Sequence, residues 1–225
     1  MLENKWIDVR MFFEKTGMAK FISHLDTVRC VTRAMKRANV PIWFTEGFNP
    51  HAFMSFAMPL SLGFESYCET VDFRITEDVN LDELAERINN ALPLDITVKK
   101  IAIPEMQPNA IRWADYKIIF NNPDEGLLAT AEKTLSSNEI LVEKKAKQGR
   151  KKVNKEVNIK EHIKSFELNN DNGKLILNTV LSSGTSININ PMLLIGALVK
   201  GTETDEQDVD VIKIQSYTEN MEVFK

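Results

Sequence analysis

Residues 68–103, CETVDFRITEDVNLDELAERINNALPLDITVKKIAI, carry two hydrophobic periods in succession. Val71, Phe73 and Ile75 alternate with Asp72 and Arg74, which is the period of a strand with one face turned inward. Asn80 then caps a helix over NLDELAERINNAL, with Glu83 at its third position, and Pro93 stops it. DITVKKIAI returns to a strand. Upstream, WIDVRMFFEK (6–15) sets Ile7, Val9, Met11 and Phe13 against Asp8, Arg10, Phe12 and Glu14, another half-buried strand. SHLDTVRCVTRAMKRANV (23–40) follows, with Leu25, Val28, Val31, Met35 and Ala38 at helical spacing. Ser23 is its N-cap, and Asp26 stands three residues on, as in a capping box. Pro41 ends this helix, and VPIWF (40–44) is expected as a second strand. Residues 6–103 therefore read β-α-β-β-α-β, the ferredoxin-like order.

The second half repeats that order. RWADYKIIF is a strand, PDEGLLATAEKTL a helix with Pro123 at its first position, and EILVEK a strand, followed by a basic loop over 144–155. GKLILNTVL is a strand, PMLLIGALV a helix capped by Asn190 with Pro191 in its first turn, and VDVIKIQSY the last strand. The expected fold is α+β: tandem ferredoxin-like units with antiparallel sheets, one over 1–104 and one over 105–225, with MQPNA in the linker.

The chain has 225 residues, 43% hydrophobic and 27% charged, the composition of an ordinary folded protein. Its longest apolar run, Met192 to Val199, falls far short of the roughly 20 residues that cross a bilayer, so no membrane association is expected. MLENKWIDVR lacks the apolar core of a signal peptide, and a cytoplasmic location is expected. There are two cysteines, Cys30 and Cys68. An iron–sulfur cluster takes three or four closely spaced thiolates, which this chain cannot supply alone. No zinc-binding spacing is present either, so no metal and no cofactor of its own are expected. The net charge of −4 argues against coating nucleic acid with the whole surface. Charge is nevertheless segregated: KKAKQGRKKVNK (144–155) has seven basic residues and no acid, whereas TETDEQDVD (202–210) has five acids and no base.

Three groups of residues can carry chemistry. In the first, His24 follows the cap Ser23, where the positive end of the helix dipole disfavours imidazolium, so a neutral base results, with Asp26 able to orient an imidazole. The alternative is a plain helix cap. The second is EGFNPHAFMSFAMPLSLGFES (46–66), irregular yet rich in phenylalanine. Gly47 permits a positive φ and Asn49-Pro50 favours a turn, which would present His51 beside Phe48 and Phe53, with Glu46 and Ser55 nearby. Packing of a crossover explains the same residues equally well. The third group is basic. Arg29, Arg33, Lys36 and Arg37 recur along the outer face of the first helix, and Lys144, Lys145, Lys147, Arg150, Lys151 and Lys152 fill the later loop; phosphates are natural partners for both. A solvated helix face is the plainer reading of the first set. Walker loops, dinucleotide-binding glycines, nucleophile elbows and HExxH are all missing.

Over residues 20–75, KFISHLDTVRCVTRAMKRANVPIWFTEGFNPHAFMSFAMPLSLGFESYCETVDFRI resembles the radical SAM-linked proteins, a bacterial domain of unknown function. Their hallmarks are a Ser-His-Leu-Asp helix start, then Ser-Glu-Gly-Phe-Asn-Pro-His, then Ser-Phe-Gly-x-Pro-Leu-x-x-Gly. The likeness extends more weakly to about residue 215. Thr45 stands in place of Ser, Ala52 and Phe53 in place of Pro and a basic residue, and Ala57 in place of Gly. Losing that basic residue weakens phosphate binding by this segment. The resemblance implies a radical SAM enzyme as partner, fused or encoded alongside, often near an RNase of the E/G type. The partner would then hold the thiolates that this chain lacks.

Three functional expectations follow. The first is an accessory or substrate-binding protein for a radical SAM enzyme, in RNA modification or RNA metabolism, with the basic residues on phosphate and the Gly47–Ser55 turn facing substrate. The second is an enzyme in its own right, using His24 and His51 as an acid–base pair on a phosphodiester or acyl substrate. The third is a protein-binding scaffold that presents Phe48, Phe53 and Phe56 as one patch.

Overall fold

The computed structural model describes residues 6–148 and 151–225, with side chains left undescribed from 145 to 154. Two compact units divide the chain, Met1–Ala110 with Val223–Lys225, and Ile111–Glu222. The last three residues thus join the first unit, beyond the reach of any period-based reading.

In the first unit the order is β1 (Ile7–Lys15), α1 (His24–Arg37), β2 (Met54–Phe56), β3 (Glu65–Ile75), α2 (Leu81–Ala91) and β4 (Ile96–Ala102). β1 lies between β4 and β3, and β2 pairs on the far side of β3, with every pairing antiparallel. Val9, Met11, Phe13, Val71 and Phe73 pack against Val31 and Met35 of α1 and Leu84 and Ile88 of α2. Both helix starts are capped as expected: Ser23 Oγ accepts from Asp26 N, and Asn80 Oδ1 accepts from Asp82 N and Glu83 N.

Three expectations need correction here. The second strand is Met54–Phe56, not VPIWF. Ile42 makes a single bridge to Ile75, with Trp43 N donating to the Arg74 carbonyl; the Trp43 carbonyl and Phe44 then pair with Phe53 and Ala52, leaving the rest of β3 to Met54–Phe56. Leu25 is 57% exposed, because the buried face of α1 runs through Thr27, Val31, Ala34 and Met35. Arg10, expected to face outward, is fully buried. Its guanidinium grips Asp72 at 2.6 and 2.8 Å, donates to the Lys225 carbonyl at 2.6 Å and stacks on Phe224.

The second unit holds β5 (Trp113–Phe120), α3 (Leu127–Ser136), β6 (Leu141–Gln148), β7 (Lys151–Asn158), β8 (Ile163–Asp171), β9 (Lys174–Ser182), α4 (Pro191–Leu198) and β10 (Val209–Tyr217). β5 lies between β10 and β9, and β8 flanks β9, again all antiparallel. Each unit therefore orders its strands last, first, third, second, and the α+β, ferredoxin-like repeat is what the structure shows. Two elements differ from expectation. EILVEK is not the second sheet strand: β8 fills that place, and β6 with β7 form a separate two-stranded hairpin. Among the described residues the basic stretch is accordingly paired strand rather than loop. α3 starts at Leu127 rather than Pro123, since the Asp124 carboxylate accepts from Gly126 N and Glu203 N and holds the preceding residues in a turn. Among the described residues no helix is long and apolar enough to cross a membrane.

Candidate functional site

α1 presents different chemistry on two sides. Along its outer side Arg29, Arg33 and Arg37 recur every four residues, which aligns them in one row. With Asp26 and Cys30, and with Ala91, Leu92 and Pro93 from the end of α2, they line an open groove of about 500 Å³. Arg29 bonds the Asp26 carboxylate at 3.0 Å, and Arg37 donates to the Ala91 carbonyl at 2.5 Å. Arg33 makes no hydrogen bond and no close ion pair among the described residues, although its charge reaches the Asp26 carboxylate. Asp26 is held below the usual carboxylate range, chiefly by the Ser23 hydroxyl and then by Arg29, so it stays an anion that orients Arg29. Burial pushes the Cys30 thiol up, against the pull of Arg37 and Arg33. Lys36 is exposed on α1 but lies outside the groove lining.

The inner side of the α1 N-terminus covers a buried polar cluster. Lys15 and Ser66 are register partners on β1 and β3, as are Phe13 and Glu69. Lys15 is 2% exposed and Glu69 5%. Lys15 Nζ donates to the Ile22 carbonyl at 3.0 Å, and the Ser66 hydroxyl donates to Glu69 Oε1 at 2.8 Å. Desolvation lowers the Lys15 pKa, opposed by the attraction of Glu69. His24 and Thr27 descend from α1, Phe56 and Leu60 close the side, and a cavity with about 10 Å³ of room remains between them and Phe13. The His24 ring sits edge-on to Phe56, centroids 5.2 Å apart.

His51 belongs to neither side. Thr45 and His51 close a small loop through Thr45 N to His51 O at 2.9 Å, and His51 Nδ1 lies 3.1 Å from both Thr45 Oγ1 and Asn49 O. Gly47, at φ +123°, lets the tip turn back and leaves Phe48 fully in solvent. Glu46 and Asn49 are exposed at the same tip, while Ser55 lies exposed on β2 opposite Asp72. Among the described residues no hydrogen bond or ring contact joins His24 to His51, and Asp26 orients neither of them. Nor do the three phenylalanines form one patch. Phe53 stacks on the Arg74 guanidinium at 4.2 Å beside Trp43, and Phe56 packs on Phe13 and His24.

In the second unit the basic stretch lies on the hairpin, where Lys144 pairs in register with Lys155 and Lys147 with Lys152. Lys144 and Lys155 set like charges directly opposite each other, and these repel. Lys145 is in register with Asn154 and Lys151 with Gln148, and Arg150 falls outside the described residues.

Sequence reasoning missed Lys15, Ser66 and Glu69. The signal was present, since Lys15 continues the inward series Val9, Met11, Phe13, and Glu69 precedes Val71 and Phe73 by the same period. A charge on the apolar side of an alternating strand marks a buried ion.

A family model described as "Uncharacterized protein conserved in bacteria (DUF2344)" matches residues 9–191. The chain belongs to that family. No curated protein matches it. Similar solved structures include one described as "Crystal Structure of a Cbf5-Nop10-Gar1 Complex", at 9% identity and TM-score 0.49, covering 92% of this chain and 48% of that one. This chain spans about half the length of that structure's chain. Another, described as "Crystal Structure of an Unknown Protein from Galdieria sulphuraria", is 12% identical with TM-score 0.27, covering 92% of this chain and 96% of that one.

Proposed function

We propose that this protein is an RNA-binding accessory component that presents substrate to a radical SAM enzyme. The observation that carries the RNA part is the row Arg29, Arg33 and Arg37 along one groove of about 500 Å³, in which Arg33 makes no hydrogen bond and no close ion pair among the described residues. A guanidinium offers a planar fork of donors that matches phosphate, and one whose donors are uncommitted is available to a ligand. Lys144 and Lys155, in register on the β6–β7 hairpin, support the same reading, because a polyanion relieves their mutual repulsion. The radical SAM partner rests on the Ser-His-Leu-Asp and Glu-Gly-Phe-Asn-Pro-His motifs of the sequence.

Fluorescence anisotropy of a labelled single-stranded RNA titrated with the full chain tests the RNA part. Affinity should fall as salt rises, with a log–log slope of about −0.7 for each phosphate neutralised. Absence of binding at low salt refutes it. Failure of the chain to co-purify with a radical SAM enzyme of its own genome would remove the partner and leave the RNA reading standing.

A further inference from the structure

The cluster beneath the α1 N-terminus is chemically unlike its surroundings. The helix-facing sides of β1 and β3 are apolar through Val9, Met11, Val71 and Phe73, then end in a lysine and a glutamate that are both almost wholly buried. Burying a charge costs several kcal/mol even after relaxation, and cores of this size fold without such pairs. Lys15 commits one of its three N–H donors, to Ile22 O. Its head lines a cavity whose other polar groups are Glu69, His24 and Thr27 and whose side wall is Phe56 and Leu60.

We propose that Lys15 is an amine nucleophile that captures a small uncharged aldehyde or ketone as an imine. The Nζ lone pair attacks the carbonyl carbon, and the carbonyl π pair moves to oxygen, which takes up one proton from Nζ. The carbinolamine then loses its hydroxyl as water, the hydroxyl receiving the remaining Nζ proton by relay through Glu69 or His24, which leaves the imine and the relay group as it began. Amine plus carbonyl becomes imine plus water, with nothing oxidised or reduced. Lysines in apolar pockets are suited to this because burial favours the free amine, the direction in which Lys15 is shifted. The phenyl and leucyl walls favour a neutral, partly apolar molecule over an ion.

The vacant room, about 10 Å³, is that of about one water, so a substrate enters by displacing Leu60. The chain permits this. Backbone hydrogen bonds anchor Ala57 to Thr70 and Gly63 to Lys20, but among the described residues Met58, Pro59 and Leu60 make none. This chemistry uses none of the groove arginines, so its failure would leave the RNA reading untouched.

Reductive trapping tests it. The full chain is incubated at neutral pH with acetaldehyde and sodium cyanoborohydride, and ethylation of each lysine is followed by peptide mass mapping. Lys15 should react several-fold faster than the exposed lysines, because a lowered pKa leaves more of it as free amine at neutral pH. Leu60→Ala should accelerate trapping at Lys15 and at no other lysine, and Lys15→Met should remove that adduct alone. If Lys15→Met does not fold, the wild type and Leu60→Ala decide the matter. Ethylation of Lys15 no faster than that of the exposed lysines overturns the proposal, whatever Leu60→Ala does.

Discussion

Replacing Arg10 by Met isolates the contribution of one buried ion pair to the first unit. Arg10 is fully buried and makes two bonds to Asp72, one to the Lys225 carbonyl and a stack on Phe224 at 4.4 Å. Breaking a buried pair by removing one partner costs about 3–5 kcal/mol, because the remaining charge stays uncompensated. The Asp72 side chain keeps 19% exposure, so water recovers part of that loss and about 3 kcal/mol is expected. Urea unfolding followed by tryptophan fluorescence in a Trp113→Phe background reads the first unit through Trp6 and Trp43. At the usual 1–3 kcal/mol per molar urea, the midpoint should fall by about 1–3 M. The double variant Arg10→Met/Asp72→Leu should regain most of the loss, since an apolar pair of similar volume replaces a buried ion pair at little cost. A loss below about 1 kcal/mol in the single variant, or a double variant weaker than the single, refutes the reasoning.

Further outcomes follow from individual contacts. Ser23→Ala removes the cap of α1 and should cost about 1 kcal/mol, whereas Ser23→Gly should cost a few tenths, both read by urea unfolding. Phe48→Ser should leave stability within about 0.5 kcal/mol, because the ring is fully in solvent; a larger loss means that the hairpin tip is packed. Gly184→Ala should destabilise the second unit, since a Cβ there would stand 2.7 Å from the Ile111 carbonyl oxygen, and unchanged thermal unfolding contradicts this. The lowered Lys15 pKa means that the unfolded chain holds this proton more tightly than the folded one. Stability should therefore rise with pH between the folded value and the ordinary value near 10.4, and Lys15→Met should flatten that rise.

Local periods made most of the fold legible. Alternation placed β1, β3, β4, β5, β9 and β10, and Ser23, Asn80 and Asn190 marked three of the four α-helix starts, because each signal lies within a few residues of its effect. Tertiary competition decided the rest. VPIWF has strand propensity, but β3 can pair with one neighbour at a time on that edge, and Met54–Phe56 takes the place. EILVEK likewise pairs with the strand after it instead of entering the sheet. Arg10 looked solvent-facing because its partners, Phe224 and Lys225, come from the far end of the chain. The arginine row was readable from its four-residue spacing, whereas the groove depends on where α2 ends. Lys15 and Glu69 could have been flagged by their inward register, while their meeting with His24 depends on the angle at which α1 crosses the sheet.

The salt dependence of single-stranded RNA binding by Arg33→Ser, set beside that of the wild type, tests the central claim most directly. Arg33 is the groove arginine with no hydrogen bond among the described residues, so its removal should weaken binding and reduce the log–log slope by about 0.7, the share of one phosphate. An unchanged affinity and slope, in a variant that unfolds as the wild type does, would contradict the claim that this groove holds RNA.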